Sequence, residues 1–156
     1  MKNIFAVLLI LVSTSLTFAQ ANEFKVRYNG GTIESKVKSD DWKNTIAVTS
    51  EVITLKLKDG VEVKIDPQKV TRLSYGKNAS RNIKGYAAAA IIINPLFALG
   101  MLKKNKQHFV GIEFEGADGK KGAVLLQAKN DKYRSLIVAL QSVTGKTVET
   151  EEKEKK

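Results

Sequence analysis

Apolar and polar residues alternate from Phe24 onward. Phe24, Val26 and Tyr28 are separated by Lys25 and Arg27, the two-residue period of a strand with one dry and one wet face. Asn29-Gly30-Gly31 permits positive φ and predicts a tight turn, with residues 32–37 returning as a second strand. Ser39-Asp40-Asp41 breaks that run, and the β-branched stretch 45–49 predicts a third strand. The sharpest pattern follows. Ile53, Leu55 and Leu57 alternate with Thr54, Lys56 and Lys58; Asp59-Gly60 turns the chain; Val61, Val63 and Ile65 then alternate with Glu62 and Lys64. A two-residue Asp-Gly loop between alternating runs predicts a β-hairpin. Pro67 ends the pairing because it has no N–H to donate, and residues 70–75 make one further short strand. Residues 109–114 and 122–126 flank Gly116-Ala117-Asp118-Gly119 as a second hairpin with a longer loop.

The period then changes. Tyr133, Leu136, Ile137 and Leu140 recur at the spacing of one helix face. Asn130 is the expected N-cap, Asp131 suits the positive end of the dipole, and Gly145 closes the C-terminus. Residues 149–156 form a charged tail expected to be disordered. A helix whose apolar face has only the sheet to bury against must plug a barrel mouth or cover an open face. The predicted fold is therefore mainly β: an antiparallel bent sheet or small barrel with a C-terminal capping helix, and with the apolar segment discussed below inserted as a helical hairpin.

This order of elements, over residues 24–145, resembles the pleckstrin-homology-like fold and its GRAM relatives: a strongly bent antiparallel barrel closed by a C-terminal helix. The resemblance implies a bacterial PH/GRAM-like domain. The chain departs from the family in showing about eight strand-like segments where the family has seven. Its turn at residues 29–31 is too short for the basic first loop with which family members grip phosphoinositides. No phosphoinositide-binding residues are implied.

The N-terminus reads as a secretory signal over residues 1–21. Lys2 precedes an unbroken apolar run from Ile4 to Val12, and Ala19-Gln20-Ala21 offers a small-x-small cleavage site, with cleavage after Ala19 as the alternative. Export to the periplasm or the outer surface is the expected localisation. With no cysteine in the chain, neither a lipoprotein-type lipid anchor nor a disulfide framework is available. Residues 22–148 are one β-rich domain that must be held by its apolar core. Removing Lys2 leaves 25 basic against 16 acidic residues, a net charge of +9. Such a field favours anionic partners, and export disfavours nucleic acid among them.

Residues 85–102 are unlike the rest of the mature chain. They form an uncharged run of 18 residues, rich in alanine and isoleucine. Lys77, Arg81 and Lys84 precede it, and Lys103, Lys104 and Lys106 follow. As a helix the run reaches about 27 Å, short of a hydrocarbon core of roughly 30 Å. Asn94-Pro95 lies at its centre, where a membrane span tolerates it least. As a hairpin turning at Asn94-Pro95, it would dip into one leaflet and keep both basic flanks against lipid headgroups. The residues expected to touch membrane or partner are Ile91, Ile92, Ile93, Leu96, Phe97, Leu99, Met101 and Leu102, with Lys77, Arg81, Lys84, Lys103, Lys104 and Lys106 on the anionic surface. Burial against other protein, or in a subunit interface of a homo-oligomer, is the competing reading.

Catalytic signals are weak. His108 is the only histidine, at the start of a strand, and reads as structural or surface. Gly145-Lys146-Thr147 lacks the earlier glycine of a phosphate-binding loop, because Leu140 stands there. Asp40, Asp41 and Asp59 fall in turns, where aspartate serves local hydrogen bonds. Trp42 is expected in the core. Arg72, Tyr75, Lys77 and Arg81 are read as the electrostatic rim of the apolar segment. The sequence calls for no cofactor, metal or catalytic group. It points to a non-enzymatic exported binding module on an anionic lipid surface or, alternatively, an oligomeric scaffold.

Overall fold

The structure, a computed structural model, describes residues 22–77, 107–150 and the backbone of 92–93. The expected signal segment, the tail beyond residue 150 and, apart from residues 92–93, the apolar segment with its expected helical hairpin lie outside the described residues.

Strands β1 (Asn22–Gly31), β2 (Asn44–Val48), β3 (Ile53–Lys56) and β4 (Glu62–Ile65) form one antiparallel meander. A 3-10 turn at Pro67–Lys69, capped by the Asp66 carboxylate, leads into β5 (Val70–Gly76). Then follow the two-residue β6 (Ile92–Ile93), β7 (His108–Glu115), β8 (Lys121–Ala128), helix α1 (Tyr133–Thr144) and a short β9 (Val148–Thr150). The sheet runs β4-β3-β2-β1-β8-β7-β5-β9, with β6 on β1. It is an open sheet, not a closed barrel. The β5–β9 pairing is parallel, so the sheet is mixed where the sequence predicted antiparallel pairing throughout.

β1 joins the two halves. Asn22 to Val26 pair with β2, Val26 to Gly31 pair with β8, and only Val26 belongs to both ladders. A bulge between Tyr28 and Gly30 adds to the bend. The expected turn at residues 29–31 is not made. Gly30 (φ 140°) and Gly31 (φ 152°) lie in a region open to glycine alone, yet they continue the strand, and β6 pairs with them on the edge that β2 has left. The expected strand at 32–37 is absent too. That stretch is pinned as a loop: the Tyr28 hydroxyl donates to the Ile33 carbonyl (2.8 Å), Asn29 Nδ2 donates to the Ser39 carbonyl (3.2 Å), and the Asp59 carboxylate accepts from Ser35 Oγ (2.8 Å) and Lys36 N–H (2.9 Å). The other seven predicted strands form among the described residues, with the short β6 and β9 in addition.

Both predicted hairpins form, and by one device. Gly60 N–H donates to the Leu57 carbonyl and Leu57 N–H to the Val61 carbonyl; Gly119, Gly116 and Lys120 repeat the pattern. Gly60 (φ 91°) and Gly119 (φ 75°) take the positive φ that follows a type I turn, so the first loop is a three-residue loop and not the expected two-residue one. Asp41, Asp59 and Asp118 serve the local hydrogen bonds expected of turn aspartates.

Helix α1 buries Leu136 and Leu140 fully, with Tyr133 and Ile137 partly buried beside them, the face predicted by their spacing. Gly145 closes it in the left-handed conformation (φ 65°). The helix starts later than predicted. Lys132 occupies the cap without a side-chain bond, and Asn130 and Asp131 lie in the preceding turn. The first residues of the charged tail are ordered as β9, because Arg72 Nε donates to Glu149 (2.9 Å) beside the β5 edge.

The core gathers Val26, Ile46, Leu55, Leu73, Ile112 and Leu126 around that helix. β7 and β8 are buried on their other face as well. Phe109 (3% exposed), Ala123 (1%) and Leu125 (2%) point away from the core cluster and still see almost no solvent.

Candidate functional site

β5 ends and β7 begins at the same end of the sheet, where the chain leaves for the apolar segment and returns from it. Three rings are stacked there. Tyr75 stands on the core face of β5, His108 opens β7, and Tyr133 opens α1. His108 pairs with Ala128, after which the turn at residues 129–132 lays Tyr133 on the imidazole, with ring centroids 3.7 Å apart and nearly parallel. Tyr75 stacks at 5.4 Å from Tyr133, and its hydroxyl lies 2.7 Å from His108 Nδ1.

The protonation pattern follows from burial and charge. Burial first, then Tyr133, pushes the Tyr75 phenol up to about 12, so it is protonated at neutral pH, and its hydroxyl shares a hydrogen bond with His108 Nδ1 in which the imidazole tautomer sets the donor. Burial, then Lys77 and Arg134, lowers the His108 pKa below 6.5. Tyr133 is shifted down, chiefly because Arg134 Nε donates to its hydroxyl at 2.9 Å.

A second aromatic–cation group lies across β8. The Arg27 guanidinium is 4.5 Å from the Trp42 ring centroid, and the Lys129 ammonium is 5.6 Å from it. Arg27 also reaches Gln127 Oε1 at 3.4 Å. Trp42 is half-exposed and outside the core cluster, which corrects the expected core placement. The loop holding it is fixed by Asp41, which accepts from Lys43 N–H (2.9 Å) and pairs with Lys58 (2.8 Å). Lys77, Lys129, Lys132 and Arg134 are all exposed around these rings. Arg72 is not part of this rim: it is held by Glu113 (3.3 Å) and Glu149 on the outer face.

Of the residues the sequence singled out for contact, Lys77 is placed on the rim. Ile92 and Ile93 are extended backbone on β1, not helix. Ile91, Leu96, Phe97, Leu99, Met101, Leu102, Arg81, Lys84, Lys103, Lys104 and Lys106 lie outside the described residues. His108 is 8% exposed and structural in its packing, one of the two readings its position allowed. The Tyr75–His108–Tyr133 stack and the Lys129 and Arg134 cations were missed. The period that put Tyr133 on the helix's apolar face was the one available signal for the stack. Among the described residues no three His, Cys, Asp or Glu side chains converge as a metal site requires, and no helix is long and apolar enough to cross a membrane. What the rim offers chemically is hydrogen-bond donors and positive charge beside aromatic faces.

The depressed His108 pKa has a measurable consequence. The native state resists protonation, so the neutral imidazole contributes stability above about pH 6.5, and this is lost as the pH falls through the lower native value. The melting temperature should fall between pH 7 and pH 5, and less steeply in His108→Gln. Parallel curves for the two proteins would show that the imidazole is not held neutral.

No protein-family model matches the chain, and no curated protein matches it. The chain is similar to the solved structure of the Spt16D–Pob3N heterodimer, with a TM-score of 0.50 at 11% identity over 85% of this chain and 55% of that one. It thus spans about half the length of that neighbour. At this identity the likeness is one of fold, and it supports the PH-like resemblance.

Proposed function

We propose that the protein is an exported, non-enzymatic binding module that associates peripherally with anionic membrane surfaces. The supporting observation is the rim where the apolar segment is rooted: exposed Lys77 and Arg134 by the His108–Tyr133 stack, exposed Lys129 5.6 Å from half-exposed Trp42, and exposed Lys132 in the turn between them. Asp41, the carboxylate beside Trp42, is already neutralised by Lys58. Each such cation contributes about 1 kcal/mol near an anionic surface. Tryptophan, with its apolar body and polar edge, suits the headgroup layer. The basic flanks at Arg81, Lys84, Lys103, Lys104 and Lys106 add to the same charge, and Ile91 to Leu102 supply the apolar contact.

Flotation of the purified protein with anionic and neutral vesicles, at low and high salt, tests this. Co-flotation with anionic vesicles only, weakened by salt, is expected. Ile92→Asp with Phe97→Asp should abolish it while circular dichroism stays unchanged. A protein that stays at the bottom of every gradient, as one defined multimer, would instead favour the oligomeric scaffold.

A further inference from the structure

We propose that the outer face of the β5–β7–β8 layer is the docking surface for this chain's own apolar segment, residues 85–102. On that face, Ser74 and Gly76 of β5 stand beside Gly111 and Phe109 of β7, which pair in turn with Leu125 and Gln127 of β8; Ala123 lies two residues before Leu125, beside Glu113. All of these but Glu113 are buried, Phe109, Leu125 and Ala123 to 3% exposure or less and Gln127 to 7%. Their inward neighbours Val110, Ile112, Val124 and Leu126 belong to the core cluster, as do Leu136 and Leu140 of α1, which therefore packs on the opposite face. A sheet face turned to water would alternate polar residues with the core set. This one carries glycine, alanine and serine between one phenylalanine and one leucine, with Gln127 buried beside Phe109 and charge beginning only at the Arg72–Glu113 row, so the stretch between is flat and mostly apolar with room for a close layer.

The connectivity identifies the occupant. The segment departs after Gly76 and returns just before Phe109, and both residues belong to this face. Its midpoint is fixed at the opposite border: Ile92 and Ile93 pair with Gly31 and Gly30 of β1, which pair in turn with Val124 and Leu125. From β5 to β6, which lies beyond β1, is four strand spacings, about 19 Å, and from β6 back to β7 is three, about 14 Å. The chain has to cover both distances, and the core and α1 already fill the inner face. A crossing over the outer face brings the uncharged, alanine-rich run onto the small-residue surface. This inference stands on the burial of the face and is independent of the membrane reading. If both hold, the segment must leave this face to enter lipid.

The absence of cysteine makes the test clean. Leu125→Cys is paired in turn with Ala90→Cys, Phe97→Cys and Met101→Cys, and the lipid-free proteins are oxidised with diamide. At least one pair should form an intramolecular disulfide in the monomer about tenfold faster than a control pairing Leu125→Cys with Val138→Cys, which lies on the exposed side of α1. Crosslinks that form only between chains, or no faster than the control, would overturn the proposal. Hydrogen exchange on the unaltered protein guards against misfolded variants. Peptides from 85–102 should be protected like those of β8, and free exchange there would equally sink the idea.

Discussion

Gly31→Ala should destabilise the protein by about 3–5 kcal/mol, a large share of the roughly 5–15 kcal/mol that holds a domain of this kind. Two costs combine. A Cβ on Gly31 would lie 2.2 Å from the Ala123 carbonyl oxygen and 3.0 Å from the Val124 Cα, both backbone atoms of β8 that cannot rotate away. The residue also sits at φ 152°, where a side chain is strained whatever the space. Thr32 N–H donates to that same Ala123 carbonyl (2.9 Å) and Thr32 Oγ1 accepts from Ala123 N–H (3.0 Å), so separating the strands to admit a methyl group breaks the ladder that joins the two halves of the sheet. Gly60→Ala is the internal control. It too has positive φ (91°), but nothing lies within 4 Å, so only conformational strain of about 1 kcal/mol applies. Urea unfolding should place the midpoint of Gly31→Ala well below that of Gly60→Ala. Equal midpoints would show that β1 and β8 do not approach as closely as described.

Replacing Lys77, Lys129 and Lys132 together by glutamine should weaken binding to anionic vesicles by about 150-fold, at roughly 1 kcal/mol for each lost cation. All three side chains are exposed, and Lys132 makes no cap bond, so the fold should be untouched. The matched control replaces Lys56, Lys64 and Lys120, which lie 3.8, 3.6 and 3.1 Å from the carboxylates of Glu62, Glu62 and Asp118. That variant removes the same formal charge from positions already compensated, and it should bind within a few-fold of the unaltered protein. If both variants weaken equally, the attraction is a property of net charge and the rim is not a site. If neither weakens, the membrane reading fails irrespective of where residues 85–102 pack.

The two readings of the apolar segment meet in this comparison. A segment stowed on Phe109 and Leu125 buries side chains each worth roughly 1.5–3 kcal/mol, which a lipid surface must match before it takes the segment over. Binding carried by the rim alone would survive Ile92→Asp with Phe97→Asp, whereas binding carried by the segment would not.

Much of the fold was legible locally. The alternation in residues 53–65 and the glycine after each turn aspartate specified hairpins, because strand period and turn chemistry act between near neighbours. The spacing of Leu136 and Leu140, with Gly145 behind them, specified the helix face and its end for the same reason. Gly30-Gly31 misled, since two glycines permit either a turn or a strand pressed against another backbone. What decided between them was Ala123, over 90 residues away. Trp42 was misplaced because the cations that hold it at the surface, Arg27 and Lys129, come from two other elements. The unbroken apolar run of β8, Ala123-Val124-Leu125-Leu126, does signal burial on both faces, although period alone does not name what lies on the second.

The sequence by itself determined the strand meanders, the terminal helix, the charge and the uncharged run at residues 85–102, all of which depend on interactions a few residues apart. Tertiary structure alone decided that β1 serves two ladders, that Tyr75, His108 and Tyr133 share one stack, and that Arg72 belongs to Glu113 and Glu149 instead of the basic rim. Each of these joins residues far apart in the chain, and side-chain period is silent on which distant strand becomes a neighbour. That choice is made by the packing of the whole core.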